Sequence, residues 1–345
     1  MPEVSVIVAT RNRARRLDRM LRCLERQKLN KQDFEVLVVD NGSCDDTSSV
    51  LNQRTKEISL VPLFEAIPGK SHALNQAIRV ATGKLLVFTD DDVTFSPEWV
   101  LEYRRAYLDY PAATVFCGPI RPHFPPATPP WLRSHPAGDV FFGRFVPGQH
   151  KAELSSLLLP CGANFAVRTL ALGDIRFRTD LGPGLAHGAL YEEDTAFLRV
   201  LRQKGGLFMF LPAARVVHHI DAGATKFAFV FEKAFQYGRG KAVAHGQFYS
   251  FREESNRLDT VCTRGSRSEF ELGLSLHFYL GQLYQFTILK DSRFAGQLTA
   301  KLLRLGIRLN EHLLCPSARA VYLDVLENSL AGSMCGVLRS KASHN

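Results

Sequence analysis

The 345-residue chain has no C-x-x-C pair among its seven cysteines, an odd and scattered set (Cys23, Cys44, Cys117, Cys161, Cys262, Cys315 and Cys335). A disulfide framework and a structural zinc site are therefore not expected, and a reducing compartment fits the sequence better. Long apolar runs are also missing. Leu272–Ile288, the most apolar late stretch, is short and carries His277, Gln282 and Gln285, which makes a poor membrane span. The opening MPEVSVIVAT lacks the basic-then-apolar layout of a signal peptide, so the expected location is cytoplasmic. No G-x-x-x-x-G-K-[ST] occurs and no G-x-G-x-x-G follows the first strand-like run, so P-loop and dinucleotide readings lack their main signature. Internal repeats, low-complexity tracts, zinc fingers and RNA-recognition motifs are absent too. Nucleic acid is thus not the expected partner, despite a formal net charge of +9.

With 46% hydrophobic and 22% charged residues, the chain can bury a sizeable core. Its length suits one large domain or two ordinary ones. Strand-like and helix-like patterns alternate through the first ninety residues. Val4–Val8, Phe34–Val39, Ile58–Phe64 and Lys84–Phe88 read as strands, and Pro62 marks the third as broken or edge-placed. Ala14–Gln27, a stretch ending near Lys56, and Ser71–Ala81 read as helices. This alternation predicts an α/β fold with a doubly wound, mostly parallel sheet. Pro119–Pro136 reads as a proline-rich loop, and Leu157–Val167 as a bent strand. A glycine-rich loop, Gly182–Gly188, leads into a helix at Tyr191–Lys204. Short strands are expected at Leu207–Leu211 and Ala214–His218.

In an open parallel sheet, ligands bind beyond the carboxyl ends of the strands. Three strand ends here are unusually polar: Thr10-Arg11-Asn12-Arg13, Asp40-Asn41-Gly42-Ser43 and Asp90-Asp91-Asp92. Consecutive carboxylates repel unless a cation or a proton intervenes. Asp90 and Asp92 could hold Mg²⁺ or Mn²⁺, or the triplet could be a solvated turn. The Asp40 carboxylate and Asn41 amide could bond a base or ribose, or the segment could simply form a turn. Lys70, after Gly69, could reach a phosphate beside a helix N-terminus, or stand in an entry turn.

Leu190, Asp194, Phe197, Leu198 and Leu201 share one helical stripe, which sets Asp194 on or beside an apolar face. A first-turn Asp can satisfy free backbone N–H groups. It can equally serve as a general base whose pKa is lifted by its surroundings. Of His218 and His219, adjacent on a strand, at most one can face a given site. One imidazole beside a carboxylate-bound cation would complete a plausible ligand set.

Taken in order, VSVIVATRNR, VLVVDNGSCDDT, GKSHALNQAIRVATGKLLVFTDDDV, GANFAVR, YEEDTAFLRVLRQKG and PAARVVHHI resemble an inverting family-2 glycosyltransferase of the GT-A fold, over about residues 3–240. The resemblance implies transfer of a sugar from a nucleotide-diphosphate sugar, a UDP-sugar by default, to a hydroxyl of a glycan or lipid-linked acceptor. It implies Mn²⁺ or Mg²⁺ as cofactor. Thr10, Asp40 and Lys70 match nucleotide-contacting positions, with Arg11, Asn12 and Asp90 in the same strand-end segments. Asp92, Asp90 and His218 match the metal-associated positions, Asp92 foremost. Asp194 matches the catalytic base, with Glu193 its companion. Asn164 and Asp91 are expected toward the acceptor or sugar.

The resemblance implies a catalytic domain at 1–225, divided into a nucleotide-sugar half (1–118) and an acceptor half (119–225), and a helical region at 226–345. That last region holds 16 Lys and Arg against 10 Asp and Glu, so +6 of the total +9 lies there. Its stripes, Phe227, Phe231 and Phe235, then Leu272, Leu276, Leu280 and Leu283, suit core-facing helices. The alternative is peripheral attachment to an anionic membrane, on its inner face. Two rival functions predict different chemistry. A sugar-phosphate nucleotidyltransferase would release pyrophosphate, and a non-catalytic carbohydrate-binding protein on the same fold would be expected to lack Asp90, Asp92 and Asp194.

Overall fold

The computed structural model describes residues 2–128, 132–133, 141–186 and 188–246, together with 278, 280 and 282. The chain divides into two units, Met1–Thr225 and Lys226–Asn345.

The first unit is built on an eight-stranded sheet of order β3-β2-β1-β4-β9-β6-β10-β8. Its strands are β1 (Val4–Thr10), β2 (Phe34–Asp40), β3 (Leu60–Phe64), β4 (Leu85–Asp90), β6 (Val115–Cys117), β8 (Ala152–Glu153), β9 (Asn164–Arg168) and β10 (Phe208–Phe210). A second sheet, order β5-β11-β7, joins Val93–Phe95, Val216–His219 and Ile120–His123. β1 runs parallel to both β2 and β4, and β2 parallel to β3. β9 is inserted antiparallel between β4 and β6, while β10 again runs parallel to β6. This is the mostly parallel α/β sheet that the sequence predicts.

The β-branched runs explain the central strands. Val6, Ile7, Val8, Val36, Leu37, Val38, Val39, Leu85, Leu86 and Val87 are all fully buried, as befits strands covered on both faces. Covering helices are α1 (Ala14–Glu25), α2 (Thr47–Arg54), α3 (Lys70–Val80) and α4 (Trp99–Asp109). In α1 the buried Leu17, Met20, Leu21 and Leu24 repeat at helical spacing. β3 lies at the sheet edge, and its Pro62, opposite Val38, removes no hydrogen bond from the interior. β7 carries Pro122 and is likewise an edge strand, inside a stretch that the sequence reading assigns to loop. The bent strand expected from Leu157 regularises only at Asn164.

Register brings the polar strand ends to one level. Thr10 pairs with Asp40, Ala9 with Asp90, and Thr89 with Asn164. The direction of sequence succession reverses at β1 and β4, which opens a crevice at that switch point. A further helix, α5 (Glu193–Gln203), buries Phe197, Leu198 and Leu201. Phe197 stacks on Phe177 at 4.0 Å between ring centroids and meets the edge of Phe88 at 5.9 Å.

In the second unit, α6 (Phe227–His245) ends at Gly246 in the left-handed conformation. Phe231 and Phe235 are buried, as is Leu280, in keeping with core-facing stripes. Leu272, Leu276, Leu283 and the side chain of Phe227 lie outside the described residues. Among the described residues, no helix is long and apolar enough to cross a membrane.

Candidate active site

Two ion-paired clusters flank the end of β4. In the first, Asp91 is buried, accepts a 2.8 Å hydrogen bond from Thr10 Oγ1 and a 2.9 Å bond from Arg13 Nη1. Arg13 also reaches Asp92 Oδ2 at 3.2 Å, and Arg16 stands 3.7 Å from the same oxygen. Arg16 is paired as well with Asp221. Burial lifts the Asp91 carboxyl to about 6, with Asp92 adding to the rise and Arg13 and Thr10 opposing it. Burial would raise Asp92 too, but the close approach and charge of His218, with Arg13 and Arg16, outweigh it and hold that carboxyl below its usual range.

The other oxygen of Asp92, Oδ1, is buried without a hydrogen-bond partner and lies 3.5 Å from His218 Nε2. The opposite ring nitrogen, Nδ1, is 2.8 Å from the Phe142 carbonyl. That contact fixes the ring and directs Nε2 at Asp92. His219 points to the other side of β11, where its Nε2 meets Thr94 Oγ1 at 2.8 Å. Of the adjacent histidines, His218 is therefore the one at the site. Among the described residues, no three or more His, Cys, Asp or Glu side chains converge as a complete metal centre. Asp92 and His218 supply one oxygen and one nitrogen donor that could share a cation with an exogenous ligand.

The second cluster surrounds Lys70. Its Nζ lies 3.0 Å from Asp90 Oδ1, 3.4 Å from Glu193 Oε1 and 3.5 Å from Asp194 Oδ2. Burial would lower the Lys70 pKa, but the charges of Asp194, Asp90 and Glu193 hold it well above its ordinary value. Burial pushes Asp194 up to about 8, with Glu193 and Asp90 adding to the rise and Lys70 opposing it. Asp194 sits in the first turn of α5, and its side chain is 17% exposed. Glu192, the residue before α5, has φ 144°, a left-handed value that L side chains rarely adopt. Such strain persists only where the surroundings enforce it. Lys70 is positioned by Gly69, whose φ of 135° a side chain would resist and whose missing Cβ leaves room for Leu185.

A third group stitches the first two strand ends together. Asp40 Oδ1 accepts from the Ser43 backbone N–H at 2.8 Å, and Asn12 Oδ1 accepts from that of Cys44 at 2.7 Å. Asn12 is in the left-handed region, φ 54°, which Asn tolerates. Asn41, whose amide the sequence reading offers to a base or ribose, instead bonds the Glu65 and Ile67 carbonyls and the Gly69 N–H, fixing the loop before α3. Arg11 is exposed.

Thr10, Lys70, Asp90, Asp91, Asp92, Glu193, Asp194 and His218 are thus brought to one strand-end region, with Asp40 and Asn12 beside them. Three expectations change in detail. Asp90 is turned to Lys70 rather than sharing the Asp92–His218 pair. Asp91 is engaged inward by Thr10 and Arg13 rather than facing a sugar. Asn164 is fully buried and leaves nothing for an acceptor. Its Oδ1 accepts from Trp99 Nε1 (2.9 Å) and Tyr103 Oη (2.8 Å), and its Nδ2 donates to the Pro119 (3.1 Å) and Ala214 (2.7 Å) carbonyls. Arg13, Arg16 and Gly162 are contributors that sequence reasoning passes over. Arg13 was detectable as the last polar residue of the first strand-end segment.

Known proteins resemble this chain in sequence and fold. Residues 5–176 match the family described as Glycosyl transferase family 2. The succinoglycan biosynthesis protein ExoM of Rhizobium meliloti is 27% identical over 240 residues, 69% of this chain and 72% of that protein. Validoxylamine A glucosyltransferase of Streptomyces hygroscopicus subsp. jinggangensis is 35% identical over 120 residues, 34% of this chain and 28% of that protein. In structure, Staphylococcus aureus TarS 1–349, solved in complex with UDP-GlcNAc, superimposes with a TM-score of 0.52 at 20% identity, covering 89% of this chain and 92% of TarS 1–349. Mannosyltransferase PcManGT from Pyrobaculum calidifontis, solved with GDP-Man and Mn²⁺, gives 0.52 at 18% identity, covering 99% of this chain and 83% of its own. Sheet order, strand-end clusters and family match agree: the chain is a glycosyltransferase of the GT-A fold and belongs to glycosyl transferase family 2.

Proposed function

We propose that this enzyme moves a glycosyl group from a nucleoside diphosphate sugar to an acceptor hydroxyl with inversion at the anomeric carbon, and that Asp194 is the general base. The observation that carries this reading is Asp194 itself, a carboxylate held 3.5 Å from Lys70 with its pKa lifted to about 8. A base poised near working pH removes a hydroxyl proton as the oxygen attacks, combining a high proton affinity with a useful fraction in the ionised, proton-accepting form. One displacement then breaks the bond from anomeric carbon to diphosphate oxygen and forms the new glycosidic bond. The proton goes to Asp194 and the electron pair to the leaving diphosphate.

Lys70 and Arg13 place positive charge at the crevice mouth, where an anionic donor would bind. Thr10, Arg11, Asn12, Asp40 and Asp90 are assigned to the nucleotide side, and Glu193 accompanies the base. The unpartnered Asp92 Oδ1 beside His218 Nε2 fits a divalent cation, Mn²⁺ or Mg²⁺. When bound there, the ion supplies charge neutralisation for the departing diphosphate. UDP-sugars are the favoured donors, supported by the UDP-GlcNAc complex of TarS; the GDP-Man complex of PcManGT keeps GDP-sugars in the test. ExoM's name supports an acceptor in polysaccharide biosynthesis, a glycan or a lipid-linked one. Peripheral contact of the basic 226–345 region with an anionic membrane is the alternative to core-facing helices, supported by its +6 charge, and binding to anionic liposomes would reveal it.

The test is a panel of UDP-, dTDP- and GDP-sugars read by thermal shift with Mn²⁺, then by nucleoside diphosphate release. Asp194→Asn is expected to lose about 100-fold or more in turnover, the usual contribution of a general base, while its thermal shift with the same donor persists. Turnover equal to wild type would refute the assignment.

A further inference from the structure

Gly162 lies where no side chain can be accommodated. A Cβ built on it would stand 1.7 Å from Asp194 Oδ2 and 2.4 Å from Asp194 Cγ, far inside contact distance. No other atom approaches that position more closely, so the space a side chain would need is filled by the carboxylate of Asp194 itself.

Neither partner can retreat. The chain after Gly162 is pinned, since the Ala163 carbonyl accepts a 2.9 Å hydrogen bond from Thr89 Oγ1. Asn164 follows, with all four of its side-chain hydrogen bonds made to buried groups. β9 then pairs on both sides, with β4 and with β6. On the other partner, α5 is held by Phe197, Leu198 and Leu201 in the core, with Phe197 stacked on Phe177. A methyl group at 162 would therefore be relieved mainly by rotation of the Asp194 carboxylate, the softest element in the contact.

The geometry points to Gly162 as a positioning residue: its bare Cα forms the floor on which the Asp194 carboxylate rests, opposite Lys70, and sets where that carboxylate meets an acceptor hydroxyl. The inference rests on Asp194 being the base. It also gives the GANFAVR segment a function other than direct contact by Asn164. The segment delivers a glycine to the catalytic carboxylate, and Asn164 anchors it from behind.

Gly162→Ala is the test, with turnover of whichever nucleotide sugar is consumed in the donor panel. Turnover is expected to fall about 100-fold, as misplacement by about 1 Å does, with the donor KM within twofold of wild type. Combined with Asp194→Asn, it should cost nothing further, because the carboxylate it displaces is already inactive. Gly162→Ala within threefold of wild type, in a protein that Asp194→Asn inactivates, overturns the positioning role and leaves the base standing. An active Asp194→Asn overturns the base and this inference with it. Should Gly162→Ala not fold, the melting temperature of Gly162→Ala/Asp194→Ala decides. Recovery to that of Asp194→Ala supports a clash with the carboxylate, and no recovery overturns it.

Discussion

Asn164→Leu should destabilise the catalytic unit severely while leaving the shape of the site's ion pairs unaltered in the remaining folded protein. Three buried groups lose the partner Asn164 gives them, Trp99 Nε1, Tyr103 Oη and the Ala214 carbonyl, while the Pro119 carbonyl still accepts from the Val216 N–H. Each buried polar group left unpaired costs about 1–3 kcal/mol, so the lower bound for three is about 3 kcal/mol. A typical domain has a total stability of about 5–15 kcal/mol, which makes this a large fraction of the whole. At roughly 2–4 °C per kcal/mol for a unit of this size, the melting temperature should drop by about 6 °C or more. Leucine is close to asparagine in size, so the loss reads out polar satisfaction rather than a cavity. The assay is urea unfolding followed by tryptophan fluorescence, since Trp99 is itself one of the deprived donors. A loss below about 1 kcal/mol would show that the three deprived groups find other company, and would refute the argument that this side chain is spent on structure.

The pH dependence of turnover follows from Asp194. Burial lifts its carboxyl to about 8, and only the deprotonated form accepts a proton. Turnover at saturating donor should rise with pH through that region and level off above it, falling about tenfold per pH unit well below it. A flat profile between pH 6 and 9 would contradict the assignment. Asp92→Asn should weaken Mn²⁺ binding by about tenfold or more, measured by calorimetry in the presence of UDP, because it removes the charge of the carboxylate whose Oδ1 no hydrogen bond holds. Unchanged Mn²⁺ affinity would remove Asp92 from the cation site.

Local patterns carried much of this architecture. The β-branched runs at Val4–Val8 and Phe34–Val39 can hardly be anything but buried strands, and Pro62 announced an edge. The three polar strand ends were legible because the sheet rule gives their position a meaning that the residues alone lack. The partners of Asn164 were not legible, since they come from residues 45 to 65 positions away in sequence. No local pattern distinguishes an amide facing an acceptor from one buried among such groups. The inward turn of Asp91 is similarly tertiary, set by Arg13 and Thr10 about eighty positions upstream. The helix Trp99–Asp109 is a different case. Its buried Trp99, Val100, Tyr103 and Ala106 do recur at helical spacing, so the signal was present and simply unread. Strands of two to four residues, such as β5, β7 and β8, are too short for periodicity to register.

The reversal of β9 has a consequence for how such an enzyme can diversify. Parallel strands offer their carboxyl ends to the crevice, whereas an antiparallel strand among them offers its amino end. The segment leading into β9 therefore borders the reaction from a direction that the β1, β2 and β4 loops do not share. One wall of the crevice can be rewritten, by changing the residues before Gly162, without touching the strand ends assigned to the donor. A grafted acceptor segment would then change what receives the sugar while the sugar's carrier stays the same, provided that the glycine at its end is kept.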